Sequence, residues 1–182
     1  MSRAHLLQAK KHGEVRLYVY HMHQDDPTKC TASKLMRAGM LRALWRPSMI
    51  PYTALVLNPS SEVLTKHDKQ YVRSGIVVID CSWKRANEVF GRRFRGINRR
   101  LPMLLAANPT NYGLLYTLSS VEALSAALFI LGFRSEAEQL LSRFKWGQTF
   151  LDLNVNALED YSKADDAESI AVLEREYFPR AQ

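Results

Sequence analysis

The chain has 182 residues, of which 47% are hydrophobic, and it carries a formal net charge of +7. The length suits one compact domain or two small lobes, and the apolar fraction excludes an intrinsically disordered chain. The charge is uneven, because residues 150–182 contain eight acids and three bases, which leaves a net +12 on the part before them. This asymmetry favours a phosphate-rich partner for the body of the protein, although simple solubility explains the net charge equally well.

Cysteine use and hydropathy indicate the compartment. Cys30 and Cys81 are the two cysteines, and their spacing matches neither a zinc knuckle nor a disulfide scaffold, so we expect a reduced, cytoplasmic location. The N-terminus lacks the long apolar stretch and cleavage site of a secretory signal. The longest apolar helix candidate, residues 121–131, is too short to cross a bilayer. The sequence therefore predicts a soluble protein with no membrane partner.

In chain order, the first half reads as strands alternating with helices. Alternating β-branched and aromatic residues predict a strand over 15–20, followed by a polar loop over 21–31. Leu35, Met36 and Met40 lie at helical spacing and predict a helix over 32–44. The remaining elements predicted in this half are a strand over 53–57, a short helix over 66–73 closed by Gly75, and buried strands over 76–79 and 103–106.

After Gly113 the pattern becomes helical. Ser119 and Glu122 have the spacing of a capping box. The helix that they open, over 121–131, is apolar on nearly every face and should be deeply buried. Further helices are predicted over 135–144, 149–161 and 169–177. The fold class is therefore α/β: an N-terminal extension over 1–14, a parallel-sheet lobe over 15–101, and a mostly helical lobe over 102–182.

Four polar or aromatic side chains follow the predicted strands at 76–79 and 103–106: Asp80, Trp83, Asn108 and Asn111. Ligand sites in open α/β sheets form beyond the carboxyl ends of strands, so we expect these residues around one crevice. Asp80 could accept a proton or bind an amine, or it could cap a turn. Trp83 could stack on a flat ring or belong to the core, and the two asparagines could contact a base edge or form a tight turn.

A basic segment lies between those two strands. Residues 84–100 contain seven bases and one acid, with Phe90 and Phe94 interleaved. Bases interleaved with aromatics are typical of surfaces for unpaired RNA, and a solvated charged face is the alternative. Thr31 stands at a predicted helix N-terminus, where backbone amides favour a carboxylate or phosphate or where threonine is an ordinary cap.

Several familiar sites are excluded. Neither Gly-x-Gly-x-x-Gly nor a Walker loop occurs, which argues against the usual dinucleotide and triphosphate sites. His21, His23 and Cys30 offer three ligands with no obvious fourth nearby, so we expect no metal. The serines near the crevice have no recognisable His and Asp partners, which leaves a serine hydrolase without support.

Seven blocks stand out when the chain is taken as a whole: Asp25-Asp26-Pro-Thr-Lys-Cys-Thr31-Ala-Ser-Lys-Leu35, Leu57-Asn-Pro59, Val78-Ile79-Asp80-Cys-Ser-Trp83, Arg99-Arg100-Leu101-Pro102, Ala106-Ala-Asn108-Pro109-Thr-Asn111-Tyr112-Gly113, Leu118-Ser-Ser120-Val-Glu122-Ala123-Leu124 and Phe144-Lys-Trp146-Gly147-Gln-Thr-Phe150. Each is weak alone, but their combination and order are specific. From about Val15 to Tyr161 the chain resembles the small-subunit ribosomal RNA aminocarboxypropyltransferases, a ribosome-biogenesis family.

The resemblance implies a SPOUT-like fold with a trefoil knot and S-adenosyl-L-methionine as co-substrate, without a metal. Members of the family transfer the 3-amino-3-carboxypropyl group, not the methyl group, onto N3 of an N1-methylated pseudouridine in small-subunit ribosomal RNA. The positions that match the family's cofactor contacts are Thr31, Ile79, Leu101, Tyr116 and Ser120. Those that match the adenine or methyl region are Leu57, Pro59 and Trp83.

The resemblance also implies an RNA surface near the pocket, formed by Lys34, Arg85, Arg92, Arg93, Arg95, Arg99 and Arg100. We assign Asp80 as a catalytic residue, either the proton acceptor or the group that orients the α-amine. The first dozen residues exceed the usual N-terminus of the family and inherit no role. The long acidic tail of eukaryotic relatives is lacking, which favours the compact, prokaryote-like form.

Two rival functions stay open at this point. A SPOUT-class methyltransferase would use the same donor and RNA, and a non-catalytic assembly factor would bind ribosomal RNA without transferring any group. The expected partner in each case is small-subunit ribosomal RNA or a pre-ribosomal particle. We favour a monomer, although knotted methyltransferases often dimerise.

Overall fold

Five short parallel strands form the centre of the fold. The computed structural model describes residues 15–22, 30–82 and 85–179. The strands are β1 (Leu17–His21), β2 (Arg42–Leu44), β3 (Leu55–Leu57), β4 (Ile76–Asp80) and β5 (Ile97–Arg99). They pair in the order β2-β1-β4-β3-β5, and every pairing is parallel. The parallel-sheet prediction is thereby confirmed, and all carboxyl ends meet at one edge.

Helices cover the sheet unequally on its two faces. They are α1 (Thr31–Arg37), α2 (Ala86–Phe90), α3 (Ser120–Ile130), α4 (Arg134–Leu141), α5 (Gly147–Lys163) and α6 (Ala167–Tyr177), together with 3₁₀ helices at Pro47–Met49 and Lys66–Ser74. The larger buried cluster packs one face against α1, α3 and α5. The other face carries a smaller cluster built with the chain around Ile50 and α2. Every residue of β4 is buried, because both faces of this central strand are covered.

The helix predicted over 32–44 is wrong beyond Arg37. Gly39 has a φ of +70°, the Met40 amide donates to the Leu35 carbonyl, and the Gly39 amide donates to the Met36 carbonyl. These two bonds form a Schellman motif, which ends an α-helix. The chain then re-enters the sheet as β2, whose residues pair with 18–20 of β1.

The strand predicted over 103–106 is also wrong. Side chains from the helical part satisfy Met103 and Leu105: Asn154 bonds both the amide and the carbonyl of Leu105, and the Met103 amide donates to Glu174. Ala106 pairs with the backbone of Gly113 and Leu114 in an isolated bridge, so the segment joins no strand of the sheet. The strand that pairs with the outer side of β3 is β5 instead. It was not predicted, because its three residues lie within the basic segment.

The helix α3 lies at the centre of the molecule, as predicted. Ser119 and Glu122 form the expected capping box, and all eleven residues of the helix are buried. The larger hydrophobic cluster contains residues from Leu17 to Ile170, so both predicted lobes contribute to one core. The division into two lobes at residue 101 stays a prediction. Within the parts of the chain that the structure describes, no helix has the length and apolar character needed to cross a bilayer.

The SPOUT-like trefoil knot that the resemblance implied is a wrong expectation. The described residues form an α/β fold of five parallel strands with helices, and nothing in this arrangement supports a knot. A knot depends on how the chain passes through its own loops, and true knots are rare among folds. Local residue patterns do not encode that passage, so the expectation rested on the resemblance alone.

Candidate cofactor and RNA site

The carboxyl edge of the sheet gathers the polar residues of the site. His21 ends β1 and Asp80 ends β4, and the parallel register makes them direct neighbours. Asn58 follows β3, is buried, and donates hydrogen bonds to Asn98 Oδ1 and the Arg92 carbonyl. These bonds hold the chain before β5 against the end of β3. The edge is therefore a rigid support for whatever binds above it.

The Asp80 carboxylate is buried and has partners on both oxygens. Ser120 Oγ donates to Oδ1 at 2.8 Å, and Cys30 Sγ donates to Oδ2 at 3.3 Å. His21 Nε2 lies 3.6 Å from the same Oδ2. The sequence identified Asp80, whereas the contact with His21 follows from the pairing of β1 with β4, which no spacing reveals. The carboxylate is consequently fixed in one orientation.

Cys30 caps α1 and belongs to the same network. Its Sγ accepts a hydrogen bond from the Ser33 amide at 3.3 Å, so it is the N-cap in place of the predicted Thr31. Burial raises the pKa of the Cys30 thiol, the hydrogen bond from Ser33 opposes this rise, and the negative Asp80 adds to it. A protonated thiol is the form that can donate to a carboxylate, in agreement with the observed bond.

The N-termini of α1 and α3 meet at this edge. Thr31 Oγ1 accepts a hydrogen bond from the Val121 amide at 3.3 Å and so joins the two helices. Ser120, the first residue of α3, is the partner of Asp80. The positive end of the α3 dipole therefore lies beside the carboxylate, where a negatively charged ligand group is stabilised.

A crevice of about 270 Å³ opens next to Asp80 and Ser120. It lies above β3 and β4, with walls from the segment after β5 and from the start of α3. Six of the eight sequence-predicted cofactor residues line it: Leu57, Pro59, Ile79, Leu101, Tyr116 and Ser120. Thr31 lies outside the lining and accepts a hydrogen bond from the amide of Val121, which follows the lining residue Ser120 in the chain. The mostly apolar walls suit a flat nucleoside, with polar groups at one end.

Trp83, the eighth of these residues, lies outside the described residues. Lys84, His23 and the segment Asp25-Asp26-Pro27 do so as well. The expectations placed on them stay predictions.

A larger, open cleft of about 670 Å³ lies elsewhere, beside Lys66, Lys69 and Arg134. It adjoins the carboxyl-terminal end of α3, about 16 Å along the helix from Ser120. None of the sequence-predicted site residues lines it. We therefore place the candidate site at the smaller crevice, where the carboxylate network and the helix N-termini converge.

Tyr116 has strained backbone at the mouth of the crevice. Its φ is +61°, a left-handed conformation that is uncommon for a bulky residue, and its side chain is half exposed. Such strain persists where the surroundings enforce it, and it is frequent at ligand sites. The loop around Tyr116 therefore holds this residue in its strained conformation at the wall of the crevice.

The loop over 106–119 is held from below by a buried carboxylate. Glu122 is fully buried and accepts hydrogen bonds from the amides of Ala107, Asn108 and Ser119, from the Asn108 side chain, and from Ser119 Oγ. The Asn111 side chain donates to the Thr117 carbonyl. Both asparagines thus bond within the loop and shape it, which agrees with the tight turn that the sequence offered as the alternative to contact with a base edge.

Arg99 and Arg100 are engaged by internal carboxylates. Arg99 Nε donates to both oxygens of Asp68 at 3.0 and 3.1 Å. Arg100 donates to Glu174 at 2.7 and 3.1 Å in a two-pronged contact, and Glu174 is buried. Neighbouring charge raises the pKa of Arg100 through this hydrogen bond, although burial opposes the rise. Their predicted role in RNA binding stays a prediction.

The other predicted RNA residues differ in how open they are. Arg85 pairs with Glu88 at 3.1 Å, and the Arg95 guanidinium lies 3.3 Å from the Tyr52 ring centroid and donates to the Ser48 carbonyl. The remaining three are exposed on the surface: Lys34, Arg92 and Arg93. These three have the accessibility that a phosphate contact requires.

His21, Cys30 and Asp80 are also residue types that bind zinc. Their ligand atoms lie within 4.8 Å of one another. The third ligand, Asp80, was missed by the sequence because it lies fifty residues after Cys30. Three ligands and an open position would resemble a catalytic zinc site more than a closed structural one. The hydrogen bonds from Cys30 and Ser120 already satisfy the carboxylate, so the cluster is equally complete as a proton network.

Two family models match the chain. Residues 55–178 match the model described as "Ribosome biogenesis protein, C-terminal". Residues 15–47 match a "Possible Fer4-like domain in RNase L inhibitor". A [4Fe–4S] cluster is held by four cysteine thiolates, and residues 15–47 contain Cys30 alone. The donor set therefore does not fit an iron–sulfur cluster.

Curated relatives and a solved structure resemble nearly the whole chain. The 16S rRNA aminocarboxypropyltransferase of Methanopyrus kandleri is 43% identical over 90% of this chain and 98% of its own. The enzyme of the same name from Thermoplasma acidophilum is 45% identical over 90% and 99%. The solved structure is that of the SAM-dependent rRNA:acp-transferase Tsr3 from Vulcanisaeta distributa, with 39% identity, a TM-score of 0.77, and coverage of 90% of this chain and 98% of that chain.

Identity at this level over nine-tenths of the chain, together with the shared α/β arrangement, settles the relationship. The protein belongs to the ribosome-biogenesis family of the 16S rRNA aminocarboxypropyltransferases.

Proposed function

We propose that this protein transfers the 3-amino-3-carboxypropyl group of S-adenosyl-L-methionine to small-subunit ribosomal RNA. The acceptor that we propose is N3 of an N1-methylated pseudouridine, in the cytoplasm, with the protein acting as a monomer. The observation that carries the proposal is the crevice of about 270 Å³ that opens beside the partnered Asp80 carboxylate. Full-length similarity to enzymes named for this transfer supports it.

The crevice suggests how the donor is oriented. The apolar residues Leu57, Ile79 and Leu101 would hold the nucleoside, with Pro59 and Tyr116 at the mouth. The amino-carboxypropyl arm then extends towards Thr31, Ser120 and Asp80. There the N-terminus of α3 favours its carboxylate and Asp80 favours its amine. We expect Trp83 to lie beside the methyl group of the donor.

The transfer itself requires one bond to form as another breaks. The N3 lone pair attacks the methylene carbon of the arm that is bonded to sulfur. The carbon–sulfur bond breaks with its electrons moving to sulfur, and neutral 5′-methylthioadenosine leaves. The N3 proton passes to Asp80 or to water. Because the sulfonium is already activated, the protein acts mainly by positioning the two reactants.

The RNA surface that we propose is centred on the exposed cations. Lys34 lies on α1, whose N-terminus is at the carboxyl edge of the sheet. Arg92 and Arg93 follow α2. The target base must be unpaired or extruded to reach the arm. Contacts with backbone phosphates release counterions, so binding should weaken steeply as salt rises. A shallow dependence on salt together with full transfer would argue against this surface.

Isotopic labelling tests the proposed reaction. The protein is incubated with small-subunit ribosomal RNA that already carries the N1-methylated pseudouridine and with donor labelled in its carboxyl carbon. A parallel reaction uses donor labelled in its methyl group. Label in RNA from the carboxyl donor alone is the expected result. If label from both donors enters the RNA, the protein transfers both the methyl and the aminocarboxypropyl group. Mass spectrometry of the modified nucleoside then identifies each adduct. Methyl label alone selects a methyltransferase, and no label selects an assembly factor.

A further inference from the structure

Trp45 is a large aromatic residue with much of its surface exposed to solvent. It follows β2 directly, and the residue is 56% exposed. Burying a tryptophan removes a large apolar area from water, so an exposed one at a functional edge is a candidate for ligand contact. Its ring lies 6.3 Å from the His21 ring, between centroids, at a tilt of 36°.

The order of the strands places Trp45 at the same carboxyl edge of the sheet as the proposed donor pocket, two strands away from Asp80. The crevice lies above β3 and β4, Asp80 ends β4, His21 ends β1, and Trp45 follows β2. Neighbouring strands are about 4.8 Å apart, so Trp45 and Asp80 are separated by about 10 Å. His21, 3.6 Å from Asp80, lies between them. The space beside Asp80 is therefore bordered by the crevice on one side and by the indole on the other.

The charge around Trp45 suits a nucleotide. Arg46 is exposed and follows Trp45 directly in the chain, and Arg42 is exposed at the start of β2. Residues 42–61 contain no aspartate or glutamate, so no acid of this segment opposes the approach of a phosphate. Arginines beside an open aromatic are typical of sites where an unpaired base stacks while its backbone is held electrostatically.

We propose that Trp45 is a base-stacking residue that holds the extruded target uracil beside Asp80. This proposal rests on the proposed function and names the site of its acceptor. The donor nucleoside occupies the β3 side of the rim, and the pyrimidine enters from the β2 side and packs on the indole. The reacting nitrogen and the arm then meet above β4 and β1. Trp45 acts by positioning and takes no part in bond formation.

Two RNA probes test the stacking without any transfer step. One is a uridine oligomer of about 12 nucleotides, and the other has the same phosphates and sugars but no bases. The full chain, Trp45→Ala and Trp45→Phe are titrated with both probes. We expect Trp45→Ala to weaken binding of the uridine oligomer about tenfold and to leave the abasic oligomer unchanged, while Trp45→Phe retains most of the affinity.

Leu153→Ala is the control. Leu153 is an exposed apolar residue of α5 and is none of the residues proposed to bind RNA or the donor, so its truncation should affect neither probe. Equal loss of both oligomers in Trp45→Ala, or no loss of either, would overturn the proposal. Wild-type protein that does not prefer the uridine oligomer would overturn it too. Failure of the proposed function is read separately, as carboxyl label that never enters ribosomal RNA.

Discussion

Ser120 Oγ donates a hydrogen bond of 2.8 Å to Asp80 Oδ1, which joins the first residue of α3 to the last residue of β4. On the other oxygen, Cys30 Sγ donates at 3.3 Å from the N-cap of α1. One carboxylate thus ties two helix N-termini to the central strand. The same group is the one that we place beside the reacting arm, so stability and chemistry are coupled at this residue.

Asp80→Asn should separate these two roles. Asparagine keeps the shape and one acceptor oxygen, and the Ser120 hydroxyl or the Cys30 thiol can rotate to accept from its amide nitrogen. We therefore expect the thermal unfolding midpoint to change little. It can neither accept the N3 proton nor balance a charged amine, so transfer should fall about 100-fold. Labelled transfer to ribosomal RNA measures the loss. Transfer within about twofold of wild type would remove Asp80 from the mechanism.

Donor affinity then distinguishes the two roles left open for Asp80. If the carboxylate orients the α-amine, Asp80→Asn weakens donor binding measured by calorimetry. If it accepts the proton, donor binding is unchanged and transfer by the variant rises with pH as water takes over. Ser120→Ala is the control, because it removes one hydrogen bond and keeps the charge; it should cost less activity than Asp80→Asn.

Arg100→Ala should destabilise the fold. After the change the Glu174 carboxylate stays buried. Among the described residues, the Met103 amide is then its remaining hydrogen-bond donor. Removing one partner of a buried pair typically costs about 3 kcal/mol or more. Urea unfolding gives the free energy, and Arg134→Ala is the control because its ion pairs are exposed. If Arg100→Ala is as stable as wild type but binds RNA more weakly, Arg100 contacts RNA and has no major structural role.

Glu122→Gln should destabilise the fold and loosen the pocket wall. Both carboxylate oxygens face donors only, so the amide nitrogen of glutamine meets at least two groups that also donate. Each buried donor left unpaired costs about 1–3 kcal/mol. The free energy of unfolding should fall by about that amount or more, with weaker donor binding. Glu138→Gln, on the exposed face of α4, should change neither, and equal effects of the two variants would contradict this account.

Elements that depend on their own residues were predictable from the sequence. The apolar run of β4 and the capping box of α3 are local signals, and both elements begin within one residue of their predicted start. The strand β2 was missed because three residues form a strand only through pairing with β1. Residues 103–106 were taken for a strand because their apolar character is real, but Asn154 and Glu174, far along the chain, satisfy their backbone.

Residues of the site were predictable where they follow a recognisable strand or match the family, whereas their partners were not. Asp80 follows a recognisable strand, and the resemblance supplied six residues that the structure places around one crevice. The partners of Asp80 lie 50 and 40 positions away, at Cys30 and Ser120, and no spacing rule connects them. The run of arginines suggested one continuous surface, but the carboxylates that bind Arg99 and Arg100 come from other elements. Charge patterns therefore show where bases lie, and only the fold shows which remain available.

The Cys30 thiol provides a prediction on pH. Burial, with the nearby Asp80 charge, raises its pKa above the value of about 8.5 that a cysteine has in an unfolded chain. The folded protein thus binds the proton more tightly. Its contribution to stability is complete below the unfolded pKa and is lost as pH rises towards the folded pKa. Alkaline urea unfolding should show this loss in wild type, and less of it in Cys30→Ala.

Thiol reactivity measures the same shift directly. In Cys81→Ser the remaining thiol is Cys30, and at pH 8 it should react with a thiol reagent at least about tenfold more slowly than a cysteine peptide. Adding Asp80→Asn removes the negative charge that disfavours the thiolate, so the reaction should become faster at every pH. Burial would still keep it slower than the peptide. A fast reaction at pH 7 that levels off there would mean a stabilised thiolate, and it would contradict the hydrogen bond in which Cys30 donates to Asp80.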